Sequence, residues 1–436
     1  MIICGAKQID ITPPIGIPLA GYGARLKGSE GIHDSLNAQL VYLSDTSNEV
    51  LFIGLDLVAI DADFTTQVRA RLNRELGIPE TSILLACTHT HSGPDGYANA
   101  FPREKLNIND SLRQNTIDKI AGAALWTKSS ARPATISYGS ERITGIGLNR
   151  NDPNKEIDNE LAIVRIDVEE KPLTVLVNFA CHPTVMGADN LQISADLPGT
   201  ARKFFRIHYP TTIFMFMNGA AGDVSTRFMR RTQGFEELDR FGSILFGASM
   251  ALMQKTQSLA DAHITCKCLP IDLPIRNFPS EKEAKEALKA CEDDYLLLKN
   301  NSVPQAELRK AETKIQGARI QAQFAVLLKE TKTVRSEIQV IQLGNLFIIT
   351  IPGEPFSGIS LAIKASFPNN PVFVVGYAND YMGYFPFGVQ EQTYETLKSP
   401  WISNIGDFLV RECISIIHSI QESEPTGIHQ GGGQNV

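Results

Sequence analysis

Two histidines lie two residues apart directly after a short apolar run. The segment THTHSGPDG, residues 88–96, places His89 and His91 behind the run ILLAC, and the whole chain has only 8 histidines. In an extended backbone alternate side chains point to the same face, so both imidazoles can face one crevice. Imidazole is a common zinc ligand, and a catalytic zinc site keeps an open position. The pair alone leaves two interpretations open, a metal site and a hydrogen-bonded structural pair.

Polar residues end four further apolar runs in the same way. His182 follows VLVNFAC, and Glu354 follows LFIITIP in a Pro-Gly-Glu-Pro turn. Ser225 closes the loop GAAGDVS after FMFMN, and Tyr381 and Tyr384 follow VFVVGYA. Since the carboxyl ends of parallel strands share one edge of an open α/β sheet, where ligands bind, we expect these side chains to converge. On its own, Glu354 in such a turn is more often an ordinary turn residue.

Other polar residues near these runs have two interpretations each. There are two interpretations of Asp56, Asp196 and Asp223: they hydrogen-bond to the metal-ligating residues and so orient them, or they cap helices. Arg227 belongs to TRFMRR, which is either a solvated helix start or a site that recognises an anionic substrate group. Ser225 has the setting of a nucleophile but lacks the GxSxG elbow, so a Ser-His-Asp triad stays open.

The elements that position these residues alternate between short apolar runs and helical segments. This alternation predicts βαβ units and an α/β fold with a layered body around a mixed, largely parallel sheet. An amphipathic helix is expected over residues 61–77. Strands are expected over residues 50–60, 81–91, 161–168, 173–180, 212–218, 338–351 and 371–378.

Residues 279–332 differ from the rest of the chain because helix formers dominate at helical spacing. Ser280 and Glu283 fit a capping box, and NSVP separates two helical stretches. We predict a helical hairpin inserted into the α/β body, either as a packing arm or as a lid or oligomer contact. Residues 1–421 are predicted to form one catalytic domain, and residues 422–436 a disordered tail.

Composition narrows the class of protein. A chain of 436 residues with 43% hydrophobic and 20% charged residues is an ordinary globular protein. Its net charge of −7 argues against a nucleic-acid partner. The sequence has neither a leader-like N-terminus nor an apolar run of about 18 residues, which predicts a cytoplasmic protein without integral membrane association. Homo-oligomer formation stays open, and the 7 irregularly spaced cysteines are expected to be reduced.

Taken together, these motifs resemble the neutral (alkaline, non-lysosomal) ceramidases. The resemblance runs from about Asp10 to Tyr394, and LNRN at 148–151 looks like the family's Asn-Arg segment. The motifs that occur in the family's order are THTHSGPDG, NFACHPT, ISAD, GAAGDVS, PGE and the stretch with Tyr381, Tyr384 and Tyr394-Glu395. The resemblance implies an amidase that hydrolyses an N-acyl bond with one Zn²⁺ per chain.

The resemblance also assigns roles to single residues. The implied zinc ligands are His89, His182, Glu354 and Tyr384. The residues implied to surround the reacting carbonyl are His91, Arg150 and Tyr394, with Ser225 near the scissile amide. We expect His91 to handle the proton of the leaving amine, since the ordinary histidine pKa of about 6.5 is near neutral. Arg227 and Tyr381 are expected to contact the substrate.

The chain departs from the family at one motif. Thr226 and Arg227 follow Ser225, where the family usually has proline. The arginines beside the site predict a small-molecule N-acyl substrate that is more polar or anionic than ceramide. Two other functions stay open: a metal-dependent esterase or phosphatase-like hydrolase, and a non-catalytic binding protein on the same fold.

Overall fold

Strands and helices alternate throughout the part of the chain that the structure describes. This computed structural model describes residues 1–99, 108–259, 263–301, 303–389 and 391–422. Apart from residue 422, the predicted disordered tail lies outside these residues. The helices are α1 (Ala62–Leu76), α2 (Asp110–Ser129), α3 (Asp196–His208), α4 (Phe235–Met253), α5 (Glu281–Asn300), α6 (Gln305–Leu327), α7 (Ser357–Ser366), α8 (Tyr394–Lys398) and α9 (Ile405–Gln421). The strands are β1 (Ile3–Asp10), β2 (Gly31–Ile32), β3 (Asn37–Ser44), β4 (Glu49–Leu55), β5 (Ile83–Cys87), β6 (Arg132–Arg142), β7 (Leu148–Asn149), β8 (Glu160–Val168), β9 (Lys171–Phe179), β10 (Gln192–Ile193), β11 (Ile213–Asn218), β12 (Val224–Ser225), β13 (Gln257–Ser258), β14 (Ile264–Pro274), β15 (Thr333–Leu343), β16 (Leu346–Thr350), β17 (Glu354–Pro355), β18 (Val372–Val375) and β19 (Tyr384–Phe385).

Two sheets form the centre of the molecule. The large sheet has the order β11-β9-β8-β6-β1-β3-β4-β5, with β13 paired to β6, and the second sheet has the order β14-β15-β16-β18. Three pairs in these sheets are parallel, namely β4 with β5, β9 with β11 and β16 with β18. In each of these pairs a helix (α1, α3 or α7) lies between the two strands in the chain. These three βαβ units supply the strand ends that matter for the site.

The mixed α/β class is confirmed, but the prediction of a largely parallel sheet is wrong. The remaining pairs in the two sheets are antiparallel. In three of these pairs, β3 with β4, β8 with β9 and β15 with β16, a short turn joins two strands that are consecutive in the chain. Between β8 and β9, for example, Glu169 and Glu170 have φ angles of 52° and 63°. Two consecutive left-handed residues make the type of two-residue turn that joins antiparallel strands.

The two sheets stack face to face and helices cover their outer faces. Along β4, Leu51 and Ile53 pack in one cluster with Phe64 of α1. Phe52, which points the opposite way, packs in a cluster that includes Phe373 of the second sheet. A strand that is buried on both faces carries apolar residues at every position, which is why these strands are continuous apolar runs in the sequence.

Two details of the second sheet bear on the sequence predictions. The run 338–351 was expected to be one strand, but it is the hairpin β15–β16, with Gly344 at φ 60° in the turn. The predicted helical hairpin is present as α5 and α6, and the capping box of Ser280 and Glu283 is confirmed. Helix α6 packs against the short helix α8. None of the described helices has the length and apolar character needed to cross a bilayer.

Candidate active site

The polar loops that follow the parallel strands meet at one place between the two sheets. His89 follows β5 and His182 follows β9 in the large sheet, whereas Glu354 follows β16 in the second sheet. Backbone bonds join these ends: the Cys87 N–H donates to the Tyr377 carbonyl at 3.0 Å. The structure therefore brings together residues that are spread over most of the sequence, as expected from their positions at strand ends.

Backbone carbonyls fix the orientation of two of the three histidines. Nδ1 of His89 donates to the Val58 carbonyl at 2.6 Å, and Nδ1 of His182 donates to the Ala221 carbonyl at 2.6 Å. A carbonyl accepts only, so each Nδ1 carries the hydrogen and each Nε2 of the neutral ring presents a lone pair. Both lone pairs face the centre of the site.

A carboxylate oxygen faces the same centre. Glu354 Oε2 lies 3.0 Å from His182 Nε2 and 3.5 Å from His89 Nε2. His182 Nε2 and Glu354 Oε2 are buried, and neither has a hydrogen-bond partner among the described residues. Three electron pairs that converge in a buried space repel one another unless a cation lies between them.

His91 completes a cluster of three imidazoles. Its Nε2 lies 3.2 Å from His89 Nε2, and one ring nitrogen from each of His89, His91 and His182 lies within 4.8 Å of the others. Burial, followed by the neighbouring histidines, lowers the pKa of His91 well below its usual value. Burial and then the positive charge of Arg150 lower the pKa of His182 to about 4. Both rings are therefore neutral at pH 7, which is the form that binds metals.

Two tyrosines lie next to the carboxylate. Strand β17 pairs with β19 so that Glu354 and Tyr384 are in register. Gly353 permits this close pairing, because a Cβ at that position would lie 2.5 Å from the Gly383 carbonyl oxygen. The Tyr381 hydroxyl, predicted to contact substrate, donates to Glu354 Oε1 at 2.5 Å. Burial and the charge of Glu354 raise the pKa of Tyr384 well above its usual value.

A buried ion pair forms the side of the site next to Tyr384. Arg150 Nε lies 2.6 Å from Glu395 Oε1, and Arg150 Nη2 donates to the Gly222 carbonyl at 2.7 Å. The guanidinium lies over the Tyr384 ring, 5.3 Å from its centroid. Burial raises the pKa of Glu395, but the charge of Arg150 and hydrogen bonds from the backbone, Asn151 and Thr393 together outweigh it, so the pKa lies below the usual value. The Tyr394 ring, 37% exposed, lies 6.2 Å from that of Tyr384.

Ser225 is close to the histidines but lacks the contacts of a triad serine. It is buried and forms a parallel bridge with His182. Its Oγ accepts from the Arg227 backbone N–H at 3.3 Å. Within the described residues no hydrogen bond joins Ser225 to a histidine ring, so the geometry does not favour the triad left open by the sequence.

Comparison with known proteins assigns this chain to a family. Residues 3–232, more than half of the chain, match the family described as neutral/alkaline non-lysosomal ceramidase, N-terminal. The chain belongs to the neutral ceramidase family. The resemblance to this family inferred from the sequence is thereby confirmed.

The relatives are distant and longer. Neutral ceramidase 1 of Arabidopsis thaliana is 26% identical over 227 residues, which cover 48% of this chain and 29% of that protein. The neutral ceramidase of Mycobacterium tuberculosis is 26% identical over 235 residues, covering 49% of this chain and 36% of that protein. The matched regions thus span about a third of these relatives. The neutral ceramidase structure from Pseudomonas aeruginosa gives a TM-score of 0.75 at 19% identity, covering 97% of this chain and 75% of that one, which shows a shared fold.

The three aspartates of this ceramidase-family chain support the framework and do not orient the histidine rings. Asp56 pairs with Arg202 instead of a ligand histidine. Asp196 accepts from the backbone N–H of Leu197 at 2.7 Å and also holds the loop after His182. Asp223 accepts from Asn149 Nδ2 at 2.8 Å and from the N–H at the start of α7. The expectation that carboxylates orient the ligands is not met, because backbone carbonyls occupy those positions.

Several residues of the site were missed in the sequence. Tyr377, with φ 55°, stacks on the His89 ring at 4.1 Å between centroids. Tyr22 packs edge-on against His91 at 4.9 Å. Glu395, quoted only as part of a motif, is the partner of Arg150. Of these residues, only Glu395 could have been predicted from the sequence, because it follows the candidate Tyr394. A positive φ angle and the stacking of rings cannot be recognised from a single sequence.

Proposed function

We propose that this chain is a metal-dependent amidohydrolase that cleaves an N-acyl amide bond and holds one Zn²⁺. The family match supports hydrolysis of this kind, since the curated relatives are named neutral ceramidases. One observation of the structure carries the proposal. His89 Nε2, His182 Nε2 and Glu354 Oε2 converge in a buried space. Among the described residues, His182 Nε2 and Glu354 Oε2 have no hydrogen-bond partner.

These residues fit zinc better than the other common divalent metals. Neutral imidazole and a single carboxylate are preferred zinc ligands, whereas Mg²⁺ and Ca²⁺ prefer oxygen ligands. We assign His89, His182 and Glu354 as ligands, with Tyr384 as the fourth because it is in register with Glu354. Zinc in such a site polarises a carbonyl and lowers the pKa of water to about 7.

Arg150 is proposed to stabilise negative charge that develops on the amide oxygen. Glu395 and the Gly222 carbonyl hold its guanidinium beside the Tyr384 ring, so that it is oriented before substrate arrives. A fixed donor of this kind contributes about 3–4 kcal/mol to catalysis. Tyr394, at the exposed side of Tyr384, is proposed to contact the same oxygen.

His91 is proposed to transfer the proton to the leaving amine. Its Nδ1 is buried and has no hydrogen-bond partner among the described residues, and the ring is neutral at pH 7. A neutral imidazole can accept a proton and pass it on. Ser225 is proposed to contact the substrate and not to attack it, since its hydroxyl is engaged with the Arg227 backbone.

The test combines metal analysis with turnover. Purified protein is expected to contain about one zinc per chain and to hydrolyse N-acyl amides. The His182→Ala variant should lose both, because it removes one of the converging nitrogens. His208→Ala is the matched control, since His208 lies on the exposed face of α3. Turnover that persists in a metal-free His182→Ala protein would refute the proposal.

Matched substrates separate this proposal from the alternatives. We expect an N-acyl amide to be cleaved faster than a phosphoester with an alkyl chain of the same length. Cleavage of the matched ester or phosphoester without cleavage of the amide would instead indicate the esterase or phosphatase-like function. Absence of stoichiometric zinc together with absence of turnover would indicate a binding protein.

A further inference from the structure

Three arginines border the site and make no ion pair with a carboxylate of the described residues. Arg25 Nη1 donates to the His91 carbonyl at 2.9 Å, and Arg227 Nη1 donates to the Arg150 carbonyl at 3.3 Å. Arg230 Nη1 donates to the Thr184 carbonyl at 2.6 Å. We call Arg25, Arg227 and Arg230 the arginine rim. Each of them bonds to the backbone of a site residue or of the loop that follows His182.

The acidic groups near the site are engaged elsewhere, so they leave the charge of the rim unbalanced. Glu395 is paired with Arg150, and Glu354 faces the histidines. Asp223 accepts hydrogen bonds from Asn149 and from the backbone of α7. A cluster of unpaired guanidinium groups beside a buried site attracts anions and repels cations. The chain as a whole carries a net charge of −7, so this positive region is local.

The members of the rim differ in the donors that they have left. Arg25 uses Nε, Nη1 and Nη2 on backbone carbonyls, so it contributes mainly its charge. Among the described residues, the Arg227 side chain makes a single hydrogen bond, to the Arg150 carbonyl, and Arg227 is exposed. A guanidinium has five N–H donors in a planar fork that matches a carboxylate. Arg227 is therefore the member best able to bind an anionic group directly.

We propose that the arginine rim selects N-acyl substrates with an anionic group close to the amide, such as N-acyl amino acids. The inference rests on the proposed amidohydrolase function. A carboxylate one or two bonds from the scissile nitrogen would lie within reach of Arg227, because its guanidinium donates to the Arg150 carbonyl and its backbone N–H donates to the Ser225 hydroxyl. Arg25 and Arg230 add attraction over a longer range.

The experiment compares two substrates that differ only in charge. N-acylglycine and N-acylglycinamide with the same acyl chain are supplied to the zinc-loaded protein, and kcat/KM is measured for both. We expect the acid to be preferred by about tenfold or more, as for a hydrogen bond to a charged group. In Arg227→Gln the ratio of the two kcat/KM values should fall about tenfold. Arg411→Gln, an exposed arginine on α9, is the control with equal loss of charge and should keep the wild-type ratio.

Two further measurements make the result decisive. If Arg227→Gln does not fold, Arg230→Gln and an increase in salt test the same attraction, and both should reduce the ratio. A ratio near one in the wild type, or an unchanged ratio in both variants, would overturn the inference.

Equilibrium binding separates this inference from the proposed function. Calorimetric titration with the two ligands measures the preference even when neither is cleaved. Tighter binding of the acid without turnover would contradict the amidohydrolase proposal and support anion selection. Equal binding of the two ligands together with turnover would support the amidohydrolase proposal and contradict anion selection.

Discussion

Replacing Glu395 by glutamine removes the charge that holds Arg150 while keeping the size of the side chain. The Glu395 carboxylate is 3% exposed and lies 2.6 Å from Arg150 Nε, and the Arg150 side chain is only 11% exposed, so little water can replace the lost charge. Deleting one partner of a buried ion pair costs about 3–5 kcal/mol, and the amide oxygen of glutamine can still accept one hydrogen bond. We therefore expect Glu395→Gln to lower the free energy of unfolding by about 2 kcal/mol.

The same change is expected to reduce catalysis. Losing a fixed donor to the developing oxyanion lowers kcat by as much as 10²–10³-fold, and partial misplacement of Arg150 should cost about tenfold to hundredfold. KM should change much less, because the donor acts mainly in the transition state. The assays are urea unfolding and steady-state kinetics on one N-acyl substrate. Glu141→Gln, which removes one partner of an exposed ion pair with Lys255, is the control.

The pH dependence gives a second check on Glu395. Its folded pKa is lowered, so its contribution to stability is present above the unfolded pKa of about 4.3 and is lost as pH falls through the folded pKa. Wild type and variant should therefore differ at pH 7 and converge in acid. If Glu395→Gln keeps wild-type kcat and stability at pH 7, the argument that this ion pair positions Arg150 is wrong.

Three more predictions test other parts of the site. Gly21→Ala should lower kcat, because the new Cβ would lie 2.4 Å from His91 Cγ. Gly16 is the matched control: its φ is 94°, against 93° for Gly21, but a Cβ there would have no atom within 4 Å. Gly16→Ala should therefore lower the free energy of unfolding and leave kcat unchanged. Equal kcat in the two variants would contradict the contact with His91. Removal of metal by a chelator should lower the melting temperature by roughly 5 °C, since the ligands come from both sheets, and calorimetry that shows no shift would contradict this. Burial raises the pKa of Asp196 to about 6, so the folded chain takes up a proton between about pH 6 and pH 4 and is stabilised as pH falls through that window. Asp196→Asn should abolish this pH-dependent change in the free energy of unfolding, which is about 3 kcal/mol at most. If the pH profile of urea unfolding is the same in Asp196→Asn as in the wild type, the raised pKa of Asp196 is excluded.

The convergence of distant residues was predictable because strand ends carry a signal in one sequence. Apolar runs that stop at His89, His182 and Glu354 indicate buried strands whose carboxyl ends share an edge. The helix expected over 61–77 is α1, Ala62–Leu76. These predictions depend on local periodicity, which a single sequence contains.

The remaining features depend on contacts between parts of the chain that are far apart in sequence. Whether neighbouring strands pair in parallel depends on the turn between them, and the left-handed Glu169 and Glu170 have no unusual composition. The carbonyls that fix the histidine rings belong to Val58 and Ala221. Any residue type has a backbone carbonyl, so the sequence does not indicate which ones do this. The stacking of Tyr377 on His89 is equally invisible before the two sheets are assembled.

The origin of the converging groups in two different sheets has a consequence for biosynthesis. Both imidazoles are encoded within the first 232 residues, whereas the carboxylate at 354 and the phenol at 384 emerge from the ribosome much later. A nascent chain that stops short of Glu354 contains the histidines of the proposed site but neither its carboxylate nor its phenol. In the proposed zinc site, the complete set of ligands therefore forms only after Glu354 and Tyr384 have been synthesised and the second sheet has packed against the first.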